Sequence, residues 1–534
     1  MRLAEKLRTV RNDSTKAADG KDFAGMQADG NGFMEKLHTV LDDRKKRTEN
    51  GAIGYETTGK ALVDLNFAAA SLRNESEKQI IDRFLRAFYE DRVLAMKWLF
   101  FLRDVRGGLG ERRSFRIIIR HLAVSMPETI CRLVELMAEY GRFDDMLCLL
   151  DTPVEERVLA VLEEQLKADL ENMEQGKNVS LCAKWMPGGN TSSGETRRLA
   201  SKLRQGMGLT AKEYRKLLSS LRAYLKVTEV YMSGGRWEEI DYEKVPSRAN
   251  VLYRRAFMLH DQARRQDYLE RVQNDGAVMH ADVLMPHDIV SQYTVRLGWG
   301  MRVGEEDAAL EALWKNLPDR AAEARNVLCV VDGSGSMLIP VGTGNVTALH
   351  VSNALGIYFA ERMQGAYHNR FITFSNRPAY VDLSACRTLR EKLELALSHN
   401  ECTNTNIEAT FELVLQTAVQ NRLEQAELPR TILIISDMEF DRAVWEQGTD
   451  ALFDTIRKRF AHFGYQLPRL VFWNVNSRTG TIPVRENELG VGLVSGFSVN
   501  ICNMVLSDEL DPFVCLKKIL ESKRYLAVEQ RLCS

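Results

Sequence analysis

The segment NVLCVVDGSGSM, from Asn326 to Met337, runs apolar and then stops at one carboxylate followed by two hydroxyls two residues apart. Asp332, Ser334 and Ser336 all carry oxygen donors, and alternation along an extended loop aims both serines the same way. Gly333 and Gly335 between them permit a tight backbone path. Further along, TILIISD ends a second apolar run at Asp437, and between the two lies ECTNTNIEA, a hydroxyl-rich loop that opens a helix. Three distant segments therefore offer carboxylate and hydroxyl oxygens at the ends of strands. Hard donors of this kind, few of them charged, suit Mg²⁺ or Mn²⁺, with Ca²⁺ as a further candidate. A lone DxSxS has a plainer reading, a strand-end turn with a helix cap. All three segments in order, each after a suitable strand, favour a cation site.

Those oxygens meet only if the strands carrying them are parallel neighbours. After about residue 320 short β-rich runs alternate with helical stretches: NVLCVVD, a helix from about Thr347 to Met363, NRFITFS, TLREKLELAL, IEATFELVLQTAVQN, RTILIISD, ALFDTIRKRFAHFG, RLVFWNV and GVGLVSG. Strand alternating with helix predicts a doubly wound, Rossmann-like parallel sheet covered on both faces, whose strands read as continuous apolar runs. In such sheets ligands bind beyond the carboxyl ends of the strands, where Asp332 and Asp437 lie.

From about 60 to 310 the rhythm is helical instead. SEKQIIDRFLRAFYEDRVLAMKWLFFLRDV, RSFRIIIRHLAVSM and PVEERVLAVLEEQLKADLENM place apolar residues three and four apart. Successive helices joined by short Gly or Pro breaks predict a repeat-like, HEAT-like helical array. The fold class expected is thus α followed by α/β. Residues 1–50 read as a flexible segment, 51–315 as the helical domain and 322–530 as the α/β domain.

Composition excludes little. The 534 residues carry 72 basic and 73 acidic side chains, a net charge of -1, so only local clusters bear on a polyanionic partner. The nine cysteines form no CxxC, which fits a reducing compartment without a zinc site. No apolar run approaches the roughly 20 residues of a membrane span, and the N-terminus lacks a secretory h-region. A cytoplasmic protein with no membrane partner is expected.

DGSGSM, the threonine loop and SD resemble the metal-ion-dependent adhesion site of von Willebrand factor type A domains. That resemblance implies that Asp332, Ser334, Ser336, Thr405 and Asp437 hold one divalent cation, with Thr403 as the alternative threonine. It also implies an open coordination position that a partner's Asp or Glu fills. Upstream, RDVRGGLGERR, KWMPGGNTSSGETRRLASKL and MPHDIV resemble the domain-of-unknown-function 2828 family over roughly residues 50–530. The architecture is similar to that of the TROVE proteins, the Ro autoantigen group, which join helical repeats to an A-type domain and bind structured and single-stranded RNA.

Arginines are the residues through which RNA would be held, because a guanidinium grips phosphate bidentately. Arg103, Arg106, Arg112 and Arg113 crowd RDVRGGLGERR, and Arg197 and Arg198 begin a basic segment that reaches Lys226. Trp185, Tyr214 and Tyr224 offer rings for base stacking if exposed. The plainer reading makes these arginines solvated faces or ion pairs, the aromatics core, and GGLG a tight turn. His260 with Asp261 and His287 with Asp288 read as caps or core pairs before they read as a constellation. No nucleophile–base pair emerges, so catalysis is not expected. The reading reached is a non-enzymatic RNA-binding scaffold like the TROVE proteins; the alternative is a metal-dependent protein–protein adaptor that binds no RNA.

Overall fold

The computed structural model describes residues 45–47, 53–55, 57–297, 300–321, 326–341, 345–364, 367–400, 406–438, 449–477, 491–496 and 511–533. The chain divides into Met1–Lys45 and one compact unit, Lys46–Ser534.

Local signals start the helices. Ser76 and Gln79 form a reciprocal capping box at Glu77–Glu90, and the Asp91 side chain accepts from Leu94 N at the next helix. The elements that matter below are short strands β1 (Lys45–Arg47) and β2 (Ile53–Tyr55), and helices α1 (Ala61–Phe67), α2 (Arg92–Arg103), α3 (Arg113–Ser125) and α4 (Pro286–Tyr293). An antiparallel hairpin follows, β3 (Thr294–Leu297) with β4 (Gly300–Val303). This departs from the expected wholly helical stretch. Four-residue strands are too short to declare a period of two against their helical neighbours.

The sheet contains β5 (Val327–Asp332), β6 (Arg370–Phe374), β7 (Tyr380–Asp382), β8 (Thr431–Ser436), β9 (Arg469–Asn474) and β10 (Val491–Ser495), in the order β10-β9-β8-β5-β6-β7. Its helices include α5 (Ala348–Arg362), α6 (Ile407–Asn421) and α7 (Thr449–His462). All neighbours pair parallel except β6 with β7, which is antiparallel. The sheet is therefore mixed rather than purely parallel, and β7, three residues long, carries no legible pattern. The chain crosses from β5 to β6 on one side and later places β8 on the other, so the winding reverses between β5 and β8.

Every position of β5 and β8 is buried. Alternation splits β5 between two cores. Val327, Cys329 and Val331 join a continuous cluster that includes α5 and runs through the helical half, whereas Leu328 and Val330 join a second one with α6 and α7. One face of the sheet is thus fused to the helical half.

Polar ties reinforce that fusion. At the carboxyl ends of β9 and β10, Asn474 Nδ2 donates to Phe67 O at 2.9 Å and Ala70 N donates to Ser495 Oγ at 3.1 Å. Near the C-terminus, ahead of α8 (Leu526–Cys533), Arg524 Nη2 donates to Asp104 Oδ1 at 2.6 Å and Tyr525 OH donates to its Oδ2 at 3.0 Å. The seven described cysteines form no disulfide. Among the described residues no helix is long and apolar enough to cross a membrane.

Candidate functional site

Register brings the two strand-end carboxylates together. Val331 lies opposite Ile435, so Asp332 and Ser436–Asp437 leave the sheet side by side at its carboxyl edge, where the winding reverses. Both aspartates are 1% exposed, which demands polar company for each. Asp332 Oδ1 accepts from Ser334 N at 2.9 Å, and its Oδ2 accepts from Ser436 Oγ at 2.5 Å. Ser436 Oγ in turn accepts from Met438 N at 3.1 Å. Met438 turns the chain with φ of 64°, an uncommon conformation for a bulky side chain, and is itself buried.

The first loop is not extended throughout, since Ser336 lies inside a 3₁₀ turn. Ser334 Oγ and Ser336 Oγ lie 3.0 Å apart, at the start of a 3₁₀ turn over Gly335–Leu338. From α5, Ser352 Oγ donates to Asp332 O at 3.1 Å and fixes the strand end from behind. Gly333 has a packing reason as well. A Cβ there would stand 2.4 Å from Asn400 Oδ1 and 3.1 Å from Asn400 Cα, so glycine suits this close approach to Asn400. Thr403 and Thr405 lie outside the described residues.

Ser436 and Asn400 are the site neighbours that sequence reasoning missed. The signal for Ser436 was a hydroxyl immediately before a strand-end aspartate. Asn400 had none, because its contact with Gly333 depends on where the preceding helix ends.

The arginines fall into three kinds of company. Arg103 is 2% exposed and donates through Nε to Asp145 Oδ2 at 2.7 Å, so it is an internal ion pair. Arg106 and Arg113 bond carbonyls: Arg106 Nη1 donates to Glu139 O at 3.3 Å, and Arg113 Nη1 to Arg73 O at 3.2 Å and Glu75 O at 3.0 Å. Arg112 approaches Asp144 at 3.3 Å. Arg197 Nη1 donates to Thr191 O at 2.8 Å, and exposed Arg198 is shared between Asp151 at 3.0 Å and Glu195 at 2.8 Å. The six thus gather in two places: those of RDVRGGLGERR near the end of α2, and Arg197 with Arg198 on another helix. The glycines of GGLG serve the turn itself. A Cβ on Gly108 would sit 2.0 Å from Phe101 O, and Gly110 has φ of 69°.

Among the aromatics, Tyr214 is 3% exposed and donates to Pro187 O at 3.0 Å, which makes it core. Tyr224 keeps an exposed ring, and half-buried Trp185 lies under the Arg142 guanidinium at 3.9 Å. The two His–Asp pairs are structural. His260 stacks on Trp237 at 4.4 Å, and Asp288 Oδ2 accepts from Met285 N at 3.0 Å as a helix cap. Burial pushes the His287 ring down to about 4. Among the described residues no three His, Cys, Asp or Glu side chains cluster as metal ligands.

Comparison with known proteins divides the chain at Asn326, one residue before β5. Residues 156–326 match the family model of a domain of unknown function, DUF2828, and residues 326–517 match that of another, DUF7788. The first match is narrower than the resemblance over roughly 50–530 implied, since the α/β half matches a different model. An uncharacterized protein of Acanthamoeba polyphaga mimivirus is 29% identical over 517 residues, which cover 89% of this chain and 87% of that protein.

Proposed function

We propose that this chain is a non-catalytic binding protein whose α/β half holds one divalent cation in the manner of a von Willebrand factor type A domain. Asp332, Ser334, Ser336, Asp437 and a threonine of the 402–405 loop would hold it, with Mg²⁺ or Mn²⁺ the best fit to these oxygens. The observation that carries this reading is the buried Asp332 carboxylate, which accepts from Ser436 Oγ and Ser334 N where the sheet reverses its winding, with the Ser334 and Ser336 hydroxyls 3.0 Å apart on its loop and buried Asp437 next in chain to Ser436. The donor set fits the ion: hard oxygens, two of them carboxylates, on a loop that glycine keeps tight. A bound cation supplies an electrophilic position that an Asp or Glu of a partner protein can occupy. The protein is then an adaptor whose grip depends on the metal. Among the described residues no general base stands beside such a cation, which favours binding over hydrolysis.

The RNA-scaffold reading stands second. Of the arginines it relied on, Arg103 is buried against Asp145 and Arg198 is shared by two carboxylates.

Titration calorimetry with Mg²⁺ and Mn²⁺ tests the proposal directly. Wild type is expected to bind one equivalent and Asp332→Ala none, with folding checked by circular dichroism. In cell extracts, a protein partner should be captured in Mg²⁺, lost with chelator and lost with Asp332→Ala. Equal cation binding by wild type and Asp332→Ala would sink the reading.

A further inference from the structure

Three guanidiniums converge on one carboxylate oxygen in the helical half. Arg112, Arg116 and Arg142 each bring an Nη2 to Asp144 Oδ2, at 3.3, 3.1 and 2.8 Å. The neighbouring Asp145 takes Arg103 at 2.7 Å, Arg116 at 2.7 Å and Arg112 at 3.8 Å. Four guanidiniums therefore share two carboxylates, and four positive charges against two negative leave two in excess. Repulsion shows in the cluster. Burial and then the neighbouring Arg116 and Arg142 push the Arg112 guanidinium below its usual range. Burial works against the Asp144 carboxylate, but its three arginine partners outweigh it and hold it below the usual range.

The outer side of the cluster is open: the side chains of Arg112, Arg142 and Arg116 are 45%, 28% and 24% exposed. Positive charge also continues along α3. Arg113, Arg116 and Arg120 follow one face at spacings of three and four residues, and Arg120 Nη1 donates to the Cys148 carbonyl at 3.1 Å. The surplus is thus a row rather than a point.

We propose that Arg112, Arg116 and Arg142, continued by Arg113 and Arg120, form a binding site for the phosphodiester backbone of single-stranded nucleic acid. Asp144 is a resident carboxylate that occupies the oxyanion position of this site and competes with phosphate for it. A row of guanidiniums suits a chain of phosphates better than a single phosphorylated side chain. Trp185 lies under the Arg142 guanidinium at 3.9 Å, so a ring adjoins the cluster. This site is independent of the cation centre and uses Arg116, Arg120 and Arg142, outside the six arginines first singled out.

Fluorescence anisotropy with a labelled oligouridylate, at several salt concentrations and with inorganic phosphate as competitor, provides the test. Arg112→Gln, the exposed and least tightly paired change, is expected to weaken binding about tenfold and to lower the salt slope by about one. Asp144→Asn is expected to tighten binding severalfold, because it removes the competing charge. A purely structural role would not produce that gain. Arg198→Gln, whose charge is already shared by two carboxylates, should bind as wild type does. The proposal is overturned if Arg112→Gln binds like wild type, if Asp144→Asn binds no tighter while remaining folded, or if phosphate or a phosphopeptide binds here and the oligonucleotide does not.

Discussion

Ser436 sits at the centre of the oxygen cluster without belonging to the pattern that announces it. Its hydroxyl donates to Asp332 Oδ2 at 2.5 Å while accepting from Met438 N at 3.1 Å. One hydroxyl thus orients the carboxylate on β5 and anchors the turn that carries Asp437. A group that orients a ligand typically changes metal affinity by about 10- to 100-fold when lost. Ser436→Ala should therefore weaken Mg²⁺ or Mn²⁺ binding by roughly that factor, and Ser436→Thr, which keeps the hydroxyl, should largely restore it. Calorimetric affinities of the three proteins decide the point; an unchanged Ser436→Ala assigns the bond to packing alone. At the same scale, the charge an arginine can offer depends on its neighbours. A run of arginines states how much charge is present, but Asp144, Asp145 and Asp151 decide how much of it is already spent.

At the scale of elements, the site loop is held where α5 crosses β5. Gly356 permits this approach, because a Cβ there would stand 2.4 Å from Val331 Cγ2, a β-branched side chain with little freedom to yield. Gly356→Ala is expected to destabilise the fold by about 1–3 kcal/mol through overpacking. Combined with Val331→Ala it should cost less than the two single changes summed, since the second makes room for the first. Urea midpoints for the four members of that cycle measure the coupling. Most elements of the α/β half were legible, because long apolar runs and helical periods survive in sequence. The run IEATFELVLQTAVQN coincides with α6, Ile407–Asn421. The hairpin β3–β4 and the edge strand β7 were not legible, since three or four residues cannot establish a period.

Across the whole molecule, the two halves meet through groups that titrate. On α5, His350 Nδ1 accepts from Thr347 N at 2.8 Å, so its Nε2 carries the proton that faces Thr294 Oγ1, 2.5 Å away in the helical half. Burial, and then the nearby His287, lower the His350 ring to about 4. His287 is lowered to about 4 by burial; Asp288 opposes the shift, and Arg73 and Arg248 add to it. The unfolded chain protonates both rings near 6.5, so between pH 6.5 and 4 it holds more protons than the fold does, and stability falls as pH falls through that window. Each ring contributes on the order of 2–3 kcal/mol to this loss. Urea midpoints at pH 7 and pH 4.5 should drop sharply for wild type and less for His350→Gln. An equal drop in both would assign the acid sensitivity to other groups.

Residue order alone determined the strand-ending aspartates, the alternating serines, the alternation of strand and helix after about 320 and the helical rhythm before it. These follow from local periodicity and from chemistry written into short segments. Only the tertiary structure decided which strands lie side by side, and with that the meeting of Asp332 with Ser436. It alone also assigned the arginines their carboxylate partners and fused one face of the sheet to the helical half in a continuous core. Partners more than a hundred residues apart are selected by register and packing, which no short stretch of sequence specifies by itself.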